Sequence, residues 1–134
     1  MCDVNSFKKI NDSYGHAEGD RALVLASGAI KTSVAKMDGF AARFGGDEFM
    51  LAWSPTAEAD TPDAPEELIR EIGKKLERAC ERTHKPYTVT LSFGYVRCTD
   101  PHRSLTDYIH EADKMLYERK RAFHDGAGRR HRVW

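Results

Sequence analysis

The sequence predicts an α+β domain: a central sheet containing antiparallel strands, flanked by helices. Three observations lead there. Apolar residues recur at three- and four-residue steps in three long segments, a glycine pair separates two apolar runs near mid-chain, and one later segment alternates in the strand period. Helices interleaved with such strands bury their apolar faces by packing as layers on one sheet.

Met1-Cys2-Asp3-Val4 has the character of the last residues of a strand, so we expect the sequence to start inside its domain. A short helix follows and ends at Gly15. Asp20 to Met37 is the first long helix, with Leu23, Ala26, Ile30, Val34 and Met37 on one stripe and Gly19-Asp20 as its start signal. Phe40 to Trp53 reads as a hairpin, entered by Ala42-Arg43-Phe44 and left by Phe49 to Trp53. Ser54 to Pro65, rich in Ala, Asp, Thr and Pro, is a surface connection. Glu66 to Arg82 is a second helix with Ile72, Leu76 and Cys80 on its stripe, closed by Pro86. Tyr87 to Tyr95 is a strand in which Val89, Leu91 and Phe93 alternate with Thr88, Thr90 and Ser92. Leu105 to Lys120 is the last helix, with Tyr108, Ile109, Ala112, Met115 and Leu116 inward. The domain is assigned to residues 1–122, and 123–134, with Arg129, Arg130 and Arg132, to a basic solvated tail.

Bulk numbers narrow the function classes. With 134 residues the chain fits one domain with a real core. Lys plus Arg and Asp plus Glu are 21 each, so the net charge is zero, which argues against a nucleic-acid binder that relies on phosphate attraction. Cys2, Cys80 and Cys98 are odd in number and form no CxxC pair, which points to reduced thiols rather than a disulfide framework or zinc knuckle. No apolar run approaches the ~20 residues of a membrane span and no signal peptide is visible, so we expect a cytoplasmic protein.

Four constellations can carry chemistry. In Asp3-Val4-Asn5-Ser6-Phe7-Lys8, a carboxylate ends a strand and a helix follows at once, which suits a metal ligand beside amides that take phosphate oxygens. The same residue types suit a helix cap at Asp3 or Asn5. In Gly45-Gly46-Asp47-Glu48, two glycines permit a tight turn with positive φ and close ligand approach, and adjacent carboxylates repel unless a cation lies by them. Magnesium is the expected cation, since it takes hard oxygen ligands and leaves positions for phosphates. A plain hairpin turn with solvated acids fits as well. Between Asn11 and Asp20, a carboxylate accepting from guanine N1–H and its exocyclic amine, with an Asn amide on O6 or N3, would favour guanine over adenine. Helix capping by the same two residues is equally consistent. Finally, Lys120 near the end of the last helix suits a phosphate, or merely complements the helix dipole.

Together these segments resemble the GGDEF domain, the catalytic module of diguanylate cyclases. Asp3 to Phe49 is similar to the family pattern D-x-[DN]-x-F-K-x-I-N-D-x-x-G-H-x-x-G-D…R-x-G-G-[DE]-E-F almost position for position. Thr90-Leu91-Ser92-Phe93-Gly94 resembles its T-x-S-x-G strand, and Ala112-Asp113 with Leu116-Tyr117 and Lys120 its A-D-x-x-[ML]-Y-x-x-K helix. The resemblance implies the palm-like (ferredoxin-like) fold of nucleotide cyclases, here without the family's N-terminal helix and most of its first strand. It implies that Asp3, the Val4 carbonyl and Asp47 hold Mg2+ (or Mn2+), that Asp47 and Glu48 are catalytic, and that Asn11 and Asp20 read guanine. The amides of Ser6, Phe7 and Lys8, with the Lys120 side chain, would cradle the triphosphate of GTP, and Gly45 and Gly46 would form the turn. Turnover to cyclic di-GMP and pyrophosphate would need a symmetric homodimer, and an upstream sensory or regulatory region is expected.

This chain departs from the family in three places. The front segment D-x-L-T-x-L-x-N-R is absent, His124 stands where a phosphate-binding arginine is common, and Lys36 and Gly39 occupy the positions of the R-x-x-D inhibitory site. Product inhibition at that site is therefore not expected. A module that binds GTP or cyclic dinucleotide, or dimerises, without turnover is the second reading. A palm of another nucleotide cyclase or polymerase family is the third, disfavoured by Asn11 and Asp20.

Overall fold

The computed structural model describes residues 1–56 and 61–130, with side chains through 122. Elements run β1 (Cys2–Val4), α1 (Phe7–Tyr14), α2 (His16–Val34), a 3-10 turn (Ala35–Met37), β2 (Phe40–Arg43), β3 (Glu48–Ala52), α3 (Ala64–Thr83), β4 (Leu91–Phe93) and α4 (Leu105–Arg130). The strands form one sheet in the order β2-β3-β1-β4, and every pairing is antiparallel. The expected α+β architecture is therefore present, with the three-residue β1 in the interior of the sheet.

Strand alternation sends successive side chains to opposite faces. Cys2 and Val4, 0% and 1% exposed, join Phe49 and Phe93 on one face, where the stripes of α2 and α3 cover them. Ile30, Ile72 and Leu76 are fully buried there, and each such side chain contributes about 1.5–3 kcal/mol. Met1, Met50, Ala112 and Leu116 pack on the other face, under α4. Asp3 lies between Cys2 and Val4 and so belongs to the α4 face.

Several boundaries differ from the pattern reading. The first long helix starts at His16 instead of Asp20, because Gly15 (φ 86°, ψ 162°) turns the chain directly from α1 into α2. Helical geometry continues beyond Val34 as the 3-10 turn and stops at left-handed Asp38 (φ 51°). The strand expected over Tyr87 to Tyr95 narrows to Leu91–Phe93, although single bonds extend its pairing: Asn5 N–H donates to the Thr90 carbonyl at 2.9 Å and Gly94 N–H to the Met1 carbonyl at 3.0 Å. The last helix runs to Arg130, well past Lys120. The expected tail side chains from 123 onward, His124 included, lie outside the described set. Among the described residues no helix is long and apolar enough to cross a membrane.

Candidate active site

Asp3 is the most buried carboxylate among these candidates, 5% exposed on an interior strand. Its register partner on β3 is Glu48, and the Val4 N–H donates to the Asp47 carbonyl at 3.1 Å. Asp3 and Asp47 therefore sit at the same end of neighbouring strands. Burial pushes the Asp3 carboxyl above its ordinary range, the Lys120 ammonium pulls it back, and the charge of Asp47 pushes it up again. The net direction is upward. Lys120 Nζ lies 2.8 Å from Asp3 Oδ1 and forms an ion pair with it. A buried carboxylate is costly in isolation, and its hard oxygens suit a cation in place of, or beside, the ammonium. Among the described residues no three His, Cys, Asp or Glu side chains converge on one point. A cation here would rest on two carboxylates and a carbonyl, leaving positions for water and phosphate as magnesium prefers.

The hairpin turn is organised by Arg43. Its Nε donates to the Gly45 and Gly46 carbonyls at 3.2 and 3.1 Å, and its Nη2 to Gly46 at 2.6 Å. Phe44 N–H closes the turn onto the Glu48 carbonyl at 2.8 Å. Contrary to expectation, neither Gly45 nor Gly46 has positive φ. A Cβ on Gly45 would stand 2.8 Å from Glu48 Oε2, the flexible end of a side chain that folds back across the turn and can swing aside. Nothing lies within 4 Å of the corresponding point at Gly46.

The β1–α1 connection is held by a side-chain network that the sequence reading did not assign. Asn5, 4% exposed, donates from Nδ2 to Thr90 Oγ1 at 3.1 Å and accepts from the Ser92 hydroxyl at 2.6 Å. Ser6 then takes a left-handed conformation (φ 56°) as the N-cap, with no side-chain cap bond. Neither Asp3 nor Asn5 caps α1. The first-turn amides of Phe7 and Lys8, beside that of Ser6, precede the helix's first bond, which runs from Ile10 N–H to the Ser6 carbonyl at 3.1 Å. Two sequence signals could have exposed this layout: the Thr90-x-Ser92 spacing facing Asn5, and the arginine two residues before the glycine pair.

Asn11 and Asp20 lie on either side of the Gly15 corner. The Asn11 side chain occupies the space over Gly19, where a Cβ would come within 2.9 Å of Asn11 Cγ and closer to Oδ1. Asp20 is exposed, inside α2 rather than at its start, and α2 has no side-chain cap bond. Asp20, Leu23, Arg43 and Phe49 are among the lining of a cleft of about 770 Å³ between α2 and the hairpin. Lys36 is ion-paired to Glu71 at 2.8 Å, and a Cβ on Gly39 would meet Ala52 O, Trp53 Cβ and Val34 Cγ1, each at 2.7 Å.

Comparison with known proteins gives a consistent result. The family model for "Diguanylate cyclase, GGDEF domain" matches residues 1–125. Diguanylate cyclase A of Treponema denticola is 33% identical over 120 residues, 90% of this chain and 31% of that protein. Diguanylate cyclase DgcP of Pseudomonas aeruginosa is 31% identical over 127 residues, 93% of this chain and 18% of its own length. The uncharacterized protein YtrP of Bacillus subtilis is 35% identical over 124 residues, 91% of this chain and 20% of that protein. The chain thus spans between 18% and 31% of these relatives' lengths. Among solved structures, the GGDEF domain of DgcB from Caulobacter crescentus, in complex with c-di-GMP, superposes with a TM-score of 0.73 at 27% identity, covering 90% of this chain and 70% of that one. Diguanylate cyclase SiaD of Pseudomonas aeruginosa, in complex with its activator SiaC, gives 0.75 at 25% identity over 90% of this chain and 45% of that one. With the sheet order, the Asp3–Asp47 juxtaposition and the match over most of its length, this chain belongs to the GGDEF domain family of diguanylate cyclases.

Proposed function

We propose that this domain condenses two GTP molecules into cyclic di-GMP with release of pyrophosphate, as one half of a symmetric homodimer. The observation that carries this reading is the buried Asp3 carboxylate on the interior strand, with Asp47 beside it across the β1–β3 pair. Asp3, the Val4 carbonyl and Asp47 would hold Mg2+ (or Mn2+), which when bound neutralises charge on the transferred phosphoryl group and lowers the pKa of the attacking hydroxyl.

The chain's own residues do the rest. The 3′-hydroxyl of one GTP attacks the α-phosphorus of the other; a P–O bond forms, the α–β anhydride bond breaks, and pyrophosphate leaves, and the same step with the roles exchanged closes the ring and releases a second pyrophosphate. Asp47 accepts the hydroxyl proton, and Glu48 adds negative charge beside the site. The amides of Ser6, Phe7 and Lys8 and the ammonium of Lys120 bind the triphosphate. Asn11 and Asp20 read guanine. One domain holds one nucleotide, so the two meet only when two copies face each other about a twofold axis. The free cysteines support a cytoplasmic setting, and the small share of its relatives' length supports an upstream regulatory region. Lys36 and Gly39, the latter without room for an acidic side chain, leave the domain without product inhibition at that position.

One observation favours a second reading, a nucleotide-binding module without turnover. Lys120 is paired with Asp3 and so neutralises the carboxylate that would hold the metal. Incubation with GTP and Mg2+, followed by chromatography for cyclic dinucleotide, separates the two. Product from the wild type and none from Asp47→Asn supports the cyclase. GTP binding without product supports the module.

A further inference from the structure

Glu18 belongs to none of the groups assigned above, yet it ties the α1–α2 corner to a distant part of the chain. Its Oε1 accepts from Lys85 Nζ at 3.0 Å, its Oε2 from the Tyr87 hydroxyl at 2.8 Å, and Arg21 pairs with it from the next turn. The Tyr87 hydroxyl also reaches the Glu18 carbonyl at 3.2 Å. Tyr14, at the end of α1, lies against Tyr87 with ring centroids 5.1 Å apart and donates to the Pro86 carbonyl at 3.3 Å. Both helices are thus fastened to the segment between α3 and β4.

That fastening matters because of what the corner carries. α1 and α2 are joined through the single residue Gly15 (φ 86°), so contacts made away from the joint, at Tyr14 and Glu18, help to set the angle between the helices. Asn11 and Asp20 stand on opposite sides of this joint, so their separation follows from that angle. Hydrogen bonds weaken steeply with misdirection, and two residues reading one base must both be placed correctly. Lys85, then Tyr87, holds the Glu18 carboxylate down at about 2, so the tie persists at any ordinary pH.

We propose that Glu18, gripped by Lys85 and Tyr87, is a positioning residue for guanine recognition, holding α2 against α1 so that Asn11 and Asp20 read one base together. The proposal rests on the assignment of Asn11 and Asp20 as the guanine-reading pair.

The test uses the full chain as wild type, Glu18→Gln and Tyr87→Phe, with Glu66→Gln as a remote control that breaks the comparable tie to Arg119 and Tyr95. Affinities are measured by displacing a fluorescent GTP analogue with GTP and with ITP, which lacks the exocyclic amine and one of the two bonds to Asp20. Steady-state KM and kcat are measured alongside. Glu18→Gln and Tyr87→Phe are expected to weaken GTP about tenfold and ITP less, so the preference falls, with KM raised and kcat nearly constant. Glu66→Gln is expected to leave the preference intact. An unchanged GTP-to-ITP ratio in both variants, or an equal fall in Glu66→Gln, overturns the proposal. A falling ratio without turnover retains it and removes the cyclase reading, whereas turnover with an unmoved ratio does the reverse. A wild type that does not bind GTP overturns both. If Glu18→Gln does not fold, Tyr87→Phe decides, since it removes a hydroxyl and keeps the ring.

Discussion

Gly94 lies directly against the backbone of Leu116: a Cβ on Gly94 would stand 2.9 Å from Leu116 Cα and closer still to the Leu116 nitrogen and the Ala112 carbonyl oxygen. The end of β4, just past Phe93, thus meets the helix carrying Lys120 with no side chain between them. Gly94→Ala is expected to push α4 off the sheet. The obstacle is backbone, which cannot rotate away, so the cost falls toward the upper end of overpacking, about 3 kcal/mol. A urea midpoint equal to wild type would show that the helix adjusts freely.

Asp3→Asn separates stability from activity. The folded-state pKa of Asp3 lies above its ordinary value of 3.8. Its contribution to stability is therefore present below 3.8 and is lost as pH rises through the folded value. At neutral pH the charged form is a burden, and the neutral amide removes it. Lys120, with its side chain 30% exposed, can turn to water. The expected variant melts no lower than wild type at pH 7, makes no cyclic dinucleotide, and loses any melting-temperature gain from added Mg2+. A markedly lower melting point would contradict the sign of this argument.

Arg43→Lys tests the clamp on the turn. A guanidinium reaches the Gly45 and Gly46 carbonyls together, whereas an ammonium on a flexible stem cannot keep both. Arg43 is exposed, so stability should change little. Product formation at saturating GTP should fall about tenfold, the scale of one charge-assisted hydrogen bond. Equal rates would mean the turn holds its shape unaided.

Acid should loosen the α1–α2 corner in a defined window. The Glu18 carboxyl is lowered from 4.5 to about 2, so its stabilisation is full above 4.5 and disappears as pH falls toward 2. Glu66 and Glu71 are lowered as well, chiefly by Arg119 and by Lys36, and act in the same direction. Melting temperatures between pH 5 and 2 should drop more steeply for wild type than for Glu18→Gln. Parallel curves would rule out the assignment.

The elements legible from the sequence are those whose signal is local. The α3 stripe of Leu68, Ile72, Leu76 and Cys80 is buried as its period implies, and the hairpin flanks Gly45-Gly46 as expected. The start of α2 differs from the pattern reading because Gly15, the stop signal of α1, also serves as the N-cap of α2, and composition alone does not separate the two roles. The glycine pair lies at the hairpin turn as its spacing implies, but without the left-handed backbone that two glycines permit. Arg43, Glu18 and Asn5 were not assigned these roles because each acts through partners that only tertiary structure brings near; Asn5 and Ser92 are 87 positions apart.

Asn5 has one more consequence. β1 offers three ladder residues to β4 and two to β3, too few bonds to oppose sliding against its neighbours. A shift by one position would carry the amide away from Thr90 and Ser92 and strand it in the interior, costing roughly 1–3 kcal/mol for each orphaned group. The side chain thus acts as a dowel through the two strands, and the carboxylate two residues earlier inherits its height in the sheet from that peg.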